Sequence, residues 1–267
     1  MQLGRFQILL LMPLFQSSLS AEGPLNATVG IGVVDMPFFD GASDRRVMAM
    51  PIINLVYKNS LYLGPSRLGT MGAIGYSSDQ RKRWVFMGEL GYTIPRLERH
   101  ANHYTGMGDR VENYWVGIGM QRNFGNSYLK ISSNFGLKND SGYFGTIAFG
   151  HRLISDRWIF EFTESVTLSD SRNVNYDFGI SEAQSIKRLD LYNNHDNRLD
   201  AMDLGSFRGT GGIRDISASA NVVYRISNNF NVITNFSGKY LTKKISESPL
   251  VRNRTSLSVS TGLLYRF

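Results

Sequence analysis

The chain contains no cysteine, so no disulfide can staple it, whichever compartment it reaches. Beyond residue 21 it has no apolar run approaching the roughly 20 residues that a membrane-spanning helix requires. Helical periodicity is nearly absent as well. The formal charge of +7 is spread along the chain and not gathered on one face. That distribution offers no phosphate track, so nucleic acid is not an expected partner. A negatively charged lipopolysaccharide leaflet suits scattered Lys and Arg better.

What the chain does have begins at its start. Arg5 precedes an apolar run (Phe6, Ile8, Leu9, Leu10, Leu11, Met12, Leu14, Phe15) and then the small-residue stretch Ser17-Ser18-Leu19-Ser20-Ala21. This is the tripartite form of a secretory signal, too short to cross a bilayer as a helix. Residues 1–21 are therefore expected to be a signal peptide, cleaved after Ser20 or Ala21, and 22–267 the mature domain.

From about residue 26 onward, segments of about ten residues alternate in polarity between turn residues. The last is the clearest. Leu257, Val259, Thr261, Leu263, Tyr265 and Phe267 share one face, while Ser256, Ser258, Ser260, Gly262 and Arg266 share the other, with Leu264 the one apolar exception. Period two is the signature of a strand with unlike faces. It recurs in 212–225, 230–241, 83–93 and 127–137, and more weakly in 26–35, 48–57, 61–76, 112–122, 142–151, 158–168 and 174–181. The expected fold is all-β: a transmembrane antiparallel β-barrel of about twelve strands with a polar lumen. Ten is the alternative count, because 48–76 and 174–181 are the least regular stretches. An even number closes a barrel with both termini on the periplasmic side.

A soluble sandwich also alternates, so the composition of the faces decides. One face is rich in Gly, Ser and Asn with single charges, as a narrow barrel interior would be. The apolar faces begin or end in aromatics: Trp84 and Tyr92, Phe230 and Tyr240, Tyr265 and Phe267. Such rings suit the two interfaces of a membrane, where the apolar body is buried and the polar edge stays wet. Arg83, Glu89, Lys130, Arg225 and Lys239 oppose these apolar faces, and pairing among them would plug the lumen. The terminal Phe267, behind Tyr265 and Leu263, resembles the signal read by the bacterial barrel-assembly machinery.

Three stretches carry a family resemblance. They are Phe39-Asp40-Gly41-Ala42-Ser43-Asp44 followed by Met50-Pro51; Asn175-Tyr176-Asp177-Phe178-Gly179-Ile180-Ser181; and Ser248-Pro249-Leu250-Val251, leading to Tyr265-Arg266-Phe267. In order and spacing the mature chain resembles the MipA/OmpV family of outer-membrane proteins, named partly for a scaffold that binds a murein-degrading transglycosylase. It departs from the usual pattern at Asp177 and at Asp40-Gly41-Ala42. The resemblance implies an outer-membrane barrel with a scaffolding, structural or adhesive role, murein transglycosylase or synthase partners, and no catalytic residue to carry over.

Motifs for chemistry are weak. His100-Ala101-Asn102-His103 offers two imidazoles with only Glu98 nearby, which reads as a solvated loop and not as a metal site. His151 is placed between a strand and a turn, and His195 in a polar loop. Asp196, His195 and Ser206 share one loop region, the only hint of a hydrolytic pairing. Asp177-Phe178-Gly179 lacks the other kinase motifs. Arg208-Gly209-Thr210-Gly211-Gly212 lacks the helix and Lys of a phosphate loop; both read as turn or strand. The segments 182–211, in which a short helix is allowed, and 95–111 are the candidates for long extracellular loops. No catalytic, cofactor or metal residue is assigned. The expected function is a non-enzymatic outer-membrane scaffold or adhesin, with a small channel as the alternative and a barrel enzyme behind both.

Overall fold

The computed structural model describes residues 24–194 and 198–267; the expected signal peptide lies outside the described residues. Twelve antiparallel strands form a closed barrel: β1 (Leu25–Pro37), β2 (Arg45–Tyr57), β3 (Leu61–Pro65), β4 (Gly72–Ser77), β5 (Trp84–Thr93), β6 (Asn113–Phe124), β7 (Ser127–Gly136), β8 (Tyr143–Ser155), β9 (Trp158–Ser169), β10 (Gly212–Arg225), β11 (Phe230–Leu241) and β12 (Thr255–Arg266). Each strand pairs with its chain neighbour, and β1 closes on β12 with Gly30 opposite Leu264 and Gly32 opposite Gly262. Closure gives every strand a neighbour on each side, as hydrocarbon demands, although the short β3 pairs with only residues 55–57 of β2. No described helix is long and apolar enough to cross a membrane.

The count of twelve is met by a different set of strands. The stretch 61–76 is two strands, because Gly64-Pro65 ends β3 and residues 66–71 turn into the barrel. Pro65 cannot donate to a ladder, and Gly69 takes φ +108°. The stretch 174–181 is no strand: Ser171–Phe178 is a helix, α1. Tyr176, Phe178 and Ile180 imitate a period of two. However, Asp170 caps the helix by accepting from Asn173 N at 2.7 Å, and Val174 and Phe178, four apart, are buried together. The Asp177-Phe178-Gly179 tripeptide is thus a helix end. The helix allowed in 182–211 exists as α2 (Glu182–Asn193), started by a Ser181–Gln184 capping box.

Both termini and the short turns after β2, β4, β6, β8 and β10 lie at one end, and the long connections lie at the other. The short-turn end is periplasmic by the rule for these barrels. On β5, Trp84, Phe86 and Leu90 are exposed while Val85, Met87 and Glu89 are buried, as the expected faces require. Rings form two belts on the outside. Trp158 with Tyr224, and Phe230 with Tyr265, sit near the turn end; Tyr92 with Tyr114, and Phe135 with Tyr143, sit near the loops.

The interior is packed. One wall buries an apolar cluster of Val34, Met50, Ile52, Ile159, Val223, Ile233 and Leu264; Leu264, the exception on the inward face of β12, is part of it. The opposite wall is polar and holds the inserted 66–71 segment. Ser66 Oγ accepts from the N–H groups of Leu68, Gly69 and Thr70 at 3.0–3.2 Å. Glu89 accepts from Tyr62 Oη at 2.5 Å, Arg67 N at 3.0 Å, Leu68 N at 3.3 Å and the Ser66 hydroxyl. Lys130 and Asn134 donate to the carbonyls of Arg67 and Leu68. So Glu89 and Lys130 do fill the lumen, through an inserted segment and not by pairing with each other. Lys239 pairs instead with Asp40, Arg83 is exposed beside the turn-end start of β5, and Arg225 is half-buried at the turn end of β10.

Candidate functional site

The long connections pack into a cap over the outer end of the barrel, and the three motif stretches meet there. Phe39, Ala42, Ala101, Tyr104, Met107, Ile180 and Leu250 share one buried cluster, with Phe38 and Phe207 against it. A second joins Val174 and Phe178 of α1 to Leu241 and Ile245. Backbone contacts tie the motifs directly. Ser248 Oγ donates to Phe178 O at 2.6 Å, and the amides of Arg252 and Asn253 donate to Gly41 O at 2.7 and 3.0 Å. Gly41 adopts φ +94° with its face against Val251, so a side chain there is strained twice over.

Two acids of the motif stretches, Asp40 and Asp177, carry the charge links between cap and wall. Asp40 receives Lys239 of β11 at 2.6 Å. Asp177 is approached by Arg214 of β10 at 3.4 Å and by Arg96 at 3.5 Å, and Arg96 also donates to Asp177 O at 2.6 Å. Arg214 is held in addition by Asp215 at 2.8 Å.

A fully buried guanidinium locks the loops to each other. Arg188 of α2 donates to the carbonyls of Asp203, Thr105 and His103 at 2.9–3.1 Å. Asp203 lies 3.7 Å from it and takes Arg252 at 2.6 Å. Three separate connections are thereby fixed around one side chain. Burial lowers the pKa of Arg188 from its ordinary value, with Asp203 opposing the shift; an arginine nonetheless stays protonated. Nothing in the spacing of 182–193 marks Arg188 as inward. Its neighbours Ile186, Leu189 and Tyr192 are exposed instead, an inversion that period alone cannot reveal.

His103 is buried against Phe39, with ring centroids 5.4 Å apart, and its Nδ1 lies 3.5 Å from Asp44. This corrects the expectation of a solvated loop histidine. Burial pushes its pKa below the usual imidazole range, and the Asp44 carboxylate only partly offsets that. His151 lies inside β8 and shares a 2.8 Å hydrogen bond with Ser127; it does not precede a turn. His195 and Asp196 lie outside the described residues, and Ser206 is exposed. Among the described residues no three His, Cys, Asp or Glu side chains converge as metal ligands.

On the outer side of the cap, α1, the start of α2 and residues 206–210 border an open cleft of about 1200 Å³. Its lining includes Arg110, Arg172, Tyr176, Gln184 and Arg208. Arg172 and Arg208 are exposed, so the cleft presents cations, amides and an aromatic ring on a rigid frame. Segments 95–111 and 182–211 are indeed long outer connections, but they are packed and capped.

Several solved membrane barrels are similar in overall form. The toluene transporter TodX of Pseudomonas putida is 11% identical, with 91% of this chain and 89% of that one covered and a TM-score of 0.41. The NanC porin is 6% identical over 91% and 100%, at 0.41. The translocator domain of the autotransporter NalP from Neisseria meningitidis is 11% identical over 92% and 89%, at 0.39. No curated protein matches the chain. The model of the family described as MltA-interacting protein MipA matches residues 29–267, which takes in the whole wall from within β1 onward and all three motif stretches. The chain is an outer-membrane β-barrel that belongs to the MipA family.

Proposed function

We propose that this protein is a non-enzymatic, non-conducting scaffold of the outer membrane that holds partners at its two ends. The observation that carries the reading is the filled interior. Inward side chains from opposite walls, among them Val85, Asn134 and Ile233, are at most 1% exposed, so the wall is spent on packing and not on lining a water path. A porin needs the opposite arrangement. Loops braced by a rigid frame are suited to recognition, and the cap is braced by Arg188, Asp177 and Asp40.

The MltA-interacting description of the family points to a murein transglycosylase or synthase as one partner. Murein lies on the periplasmic side, so that contact falls to the short turns. Lys58, Arg81, Lys82, Arg83 and Arg157 are exposed there, against Asp79 and Asp156, which favours an acidic partner surface. Residues 1–21 direct export in this reading. Phe267, exposed beyond the end of β12 and edge-to-face with the Tyr265 ring, is the handle for barrel assembly. The outer leaflet supplies lipid and lipopolysaccharide contacts.

Chemical crosslinking in intact cells, followed by identification of the adducts, tests the scaffold. Murein enzymes captured by the native protein, and lost when Arg81, Lys82 and Arg83 become Glu, are the expected result. Capture that ignores those changes contradicts the placement. Substituting His195 and Asp196 is expected to leave any lipid or peptide hydrolysis by the preparation unchanged.

A further inference from the structure

Arg110 lines the open cleft on the outer side of the cap, and its charge is poorly answered there. Its Nη1 is buried with no hydrogen-bond partner among the described residues, and its Nη2 reaches only Gly179 O, at 3.5 Å. The guanidinium lies over the Tyr176 ring, 5.4 Å from the centroid, a contact that holds it but supplies no acceptor. Tyr176 and Gly179 line the cleft too, so the charged end of Arg110 is what meets it. No carboxylate pairs with Arg110 among the described residues. The nearby acid, Asp177, is already approached by Arg96 and Arg214. Burial, and after it the charge of Arg96, lower the Arg110 pKa from its ordinary value, yet an arginine stays protonated. A buried donor left in this state is costly.

The start of α2 stands at the same place. Gly179 lies two residues before Ser181, the N-cap, and Ser181, Glu182 and Ala183 line the cleft. Within the cap, Gln184 N donates to Ser181 Oγ at 3.2 Å and Ser185 N to Ser181 O at 2.9 Å. The amides of Glu182 and Ala183 fall outside those bonds, and they leave the positive end of the helix dipole at the cleft. Lys138, Arg172 and Arg208 stand at the rim, without an ion pair among the described residues. Asp109, Asp140 and Glu182 border the cleft as well. Asp109 accepts from Glu98 N at 2.7 Å, and Asp140 and Glu182 are exposed to water. Lys138 lies two residues past the end of β7 and Arg172 three past the end of β9, just beyond the Phe135–Tyr143 rings of the outer belt. Such a belt marks headgroup depth, so the rim stands beside the outer-leaflet headgroups.

We propose that this cleft is a phosphate-binding site, in which Arg110 and the first α2 amides take phosphate oxygens and the rim cations add charge. A guanidinium fork and a helix start are the groups best matched to that anion. The phosphate is borne by a lipopolysaccharide headgroup of the surrounding leaflet or by a small soluble ester. The site needs only that the cap faces the outer leaflet, and it depends on no partner of the scaffold.

The test uses the full chain, refolded in detergent and checked for folding by heat-modifiability. It is titrated calorimetrically with lipopolysaccharide in the same detergent, with that lipopolysaccharide after enzymatic dephosphorylation, and with inorganic phosphate. A phosphate-bearing ligand is expected to bind, and Arg110→Gln to weaken it about tenfold, as the loss of a charge-assisted hydrogen bond implies. Because Arg110 is packed, a second variant joins Arg172→Glu to Arg208→Glu, both at exposed positions, and should weaken binding as well. Lys243→Glu with Lys244→Glu makes the same charge change on another exposed part of the cap, α3 (Lys243–Ser246), and should leave binding unaltered. Lipopolysaccharide binding that is lost on dephosphorylation assigns the headgroup. Binding of inorganic phosphate, with equal affinity for the two lipopolysaccharides, assigns the soluble ester. Indifference to phosphate in both forms, binding that ignores both arginine variants, or an equal loss with the Lys243 and Lys244 changes would each overturn the proposal.

Discussion

Glu89 gathers four donors inside the barrel, and its neighbours explain what its loss would do. Removing it leaves Tyr62 Oη and the amide of Arg67 without their acceptor, at about 1–3 kcal/mol for each buried group left unsatisfied. Glu89→Ala is therefore expected to lower the urea midpoint of the refolded barrel strongly and to free segment 66–71. Glu89→Gln keeps an acceptor and should be milder. On the outside, Leu90→Arg or Val259→Arg places a charge among lipid tails and is expected to cost about 2–4 kcal/mol or to block assembly. Equal tolerance of Arg at the outward Leu90 and at a half-buried inward site such as Ser258 would contradict the assignment of faces. Inward sites are not uniformly permissive, however. Asn221 is buried and accepts from Asn235 at 2.7 Å, so a bulky change there is expected to be harmful, against the simple view of a wet interior.

At the scale of elements, the cap should respond as a unit. Arg188→Ala empties the centre of three connections, and breaking such a buried charged cluster costs about 3–5 kcal/mol. Limited proteolysis should then cut first within 95–111 and 182–211 while the strands stay protected. Acid should loosen the same region. An unfolded histidine titrates near 6.5, and burial holds His103 lower. Between the two values the open form binds more protons, so stability rises with pH and is lost as pH falls below about 6.5. Amide protection factors in 38–44 and 95–111, corrected for the intrinsic pH dependence of exchange, should fall between about pH 7 and about pH 5, and His103→Gln should flatten that dependence. These elements also show where sequence reading reaches its limit. Strands such as β5, β10, β11 and β12 were legible because lipid on one side and a packed interior on the other impose a strict period of two. The α1 helix reads as a strand in the sequence because only its cap and the Val174–Phe178 spacing speak for helix, whereas three alternating apolar residues speak for strand. The split of β3 from β4 depends on Glu89, which is distant in sequence from the segment it anchors.

For the whole molecule, the arrangement is a membrane wall closed on itself, filled by its own side chains and roofed by its own loops. Family motifs that are scattered along the chain become one cluster, since Phe39, Ile180 and Leu250 touch only after the barrel closes. That convergence was not legible from order and spacing. Nor were the roles of Asp40 and Asp177, whose partners are wall cations on β11 and β10. The membrane location was legible, because alternation and aromatic belts both follow from the same solvent. The measurement that bears most directly on the account is single-channel recording of the native protein in a planar bilayer. A filled interior predicts a flat baseline, with steps appearing only when the lumen is emptied, as in Glu89→Ala. Steady, reproducible steps from the unaltered protein would contradict it.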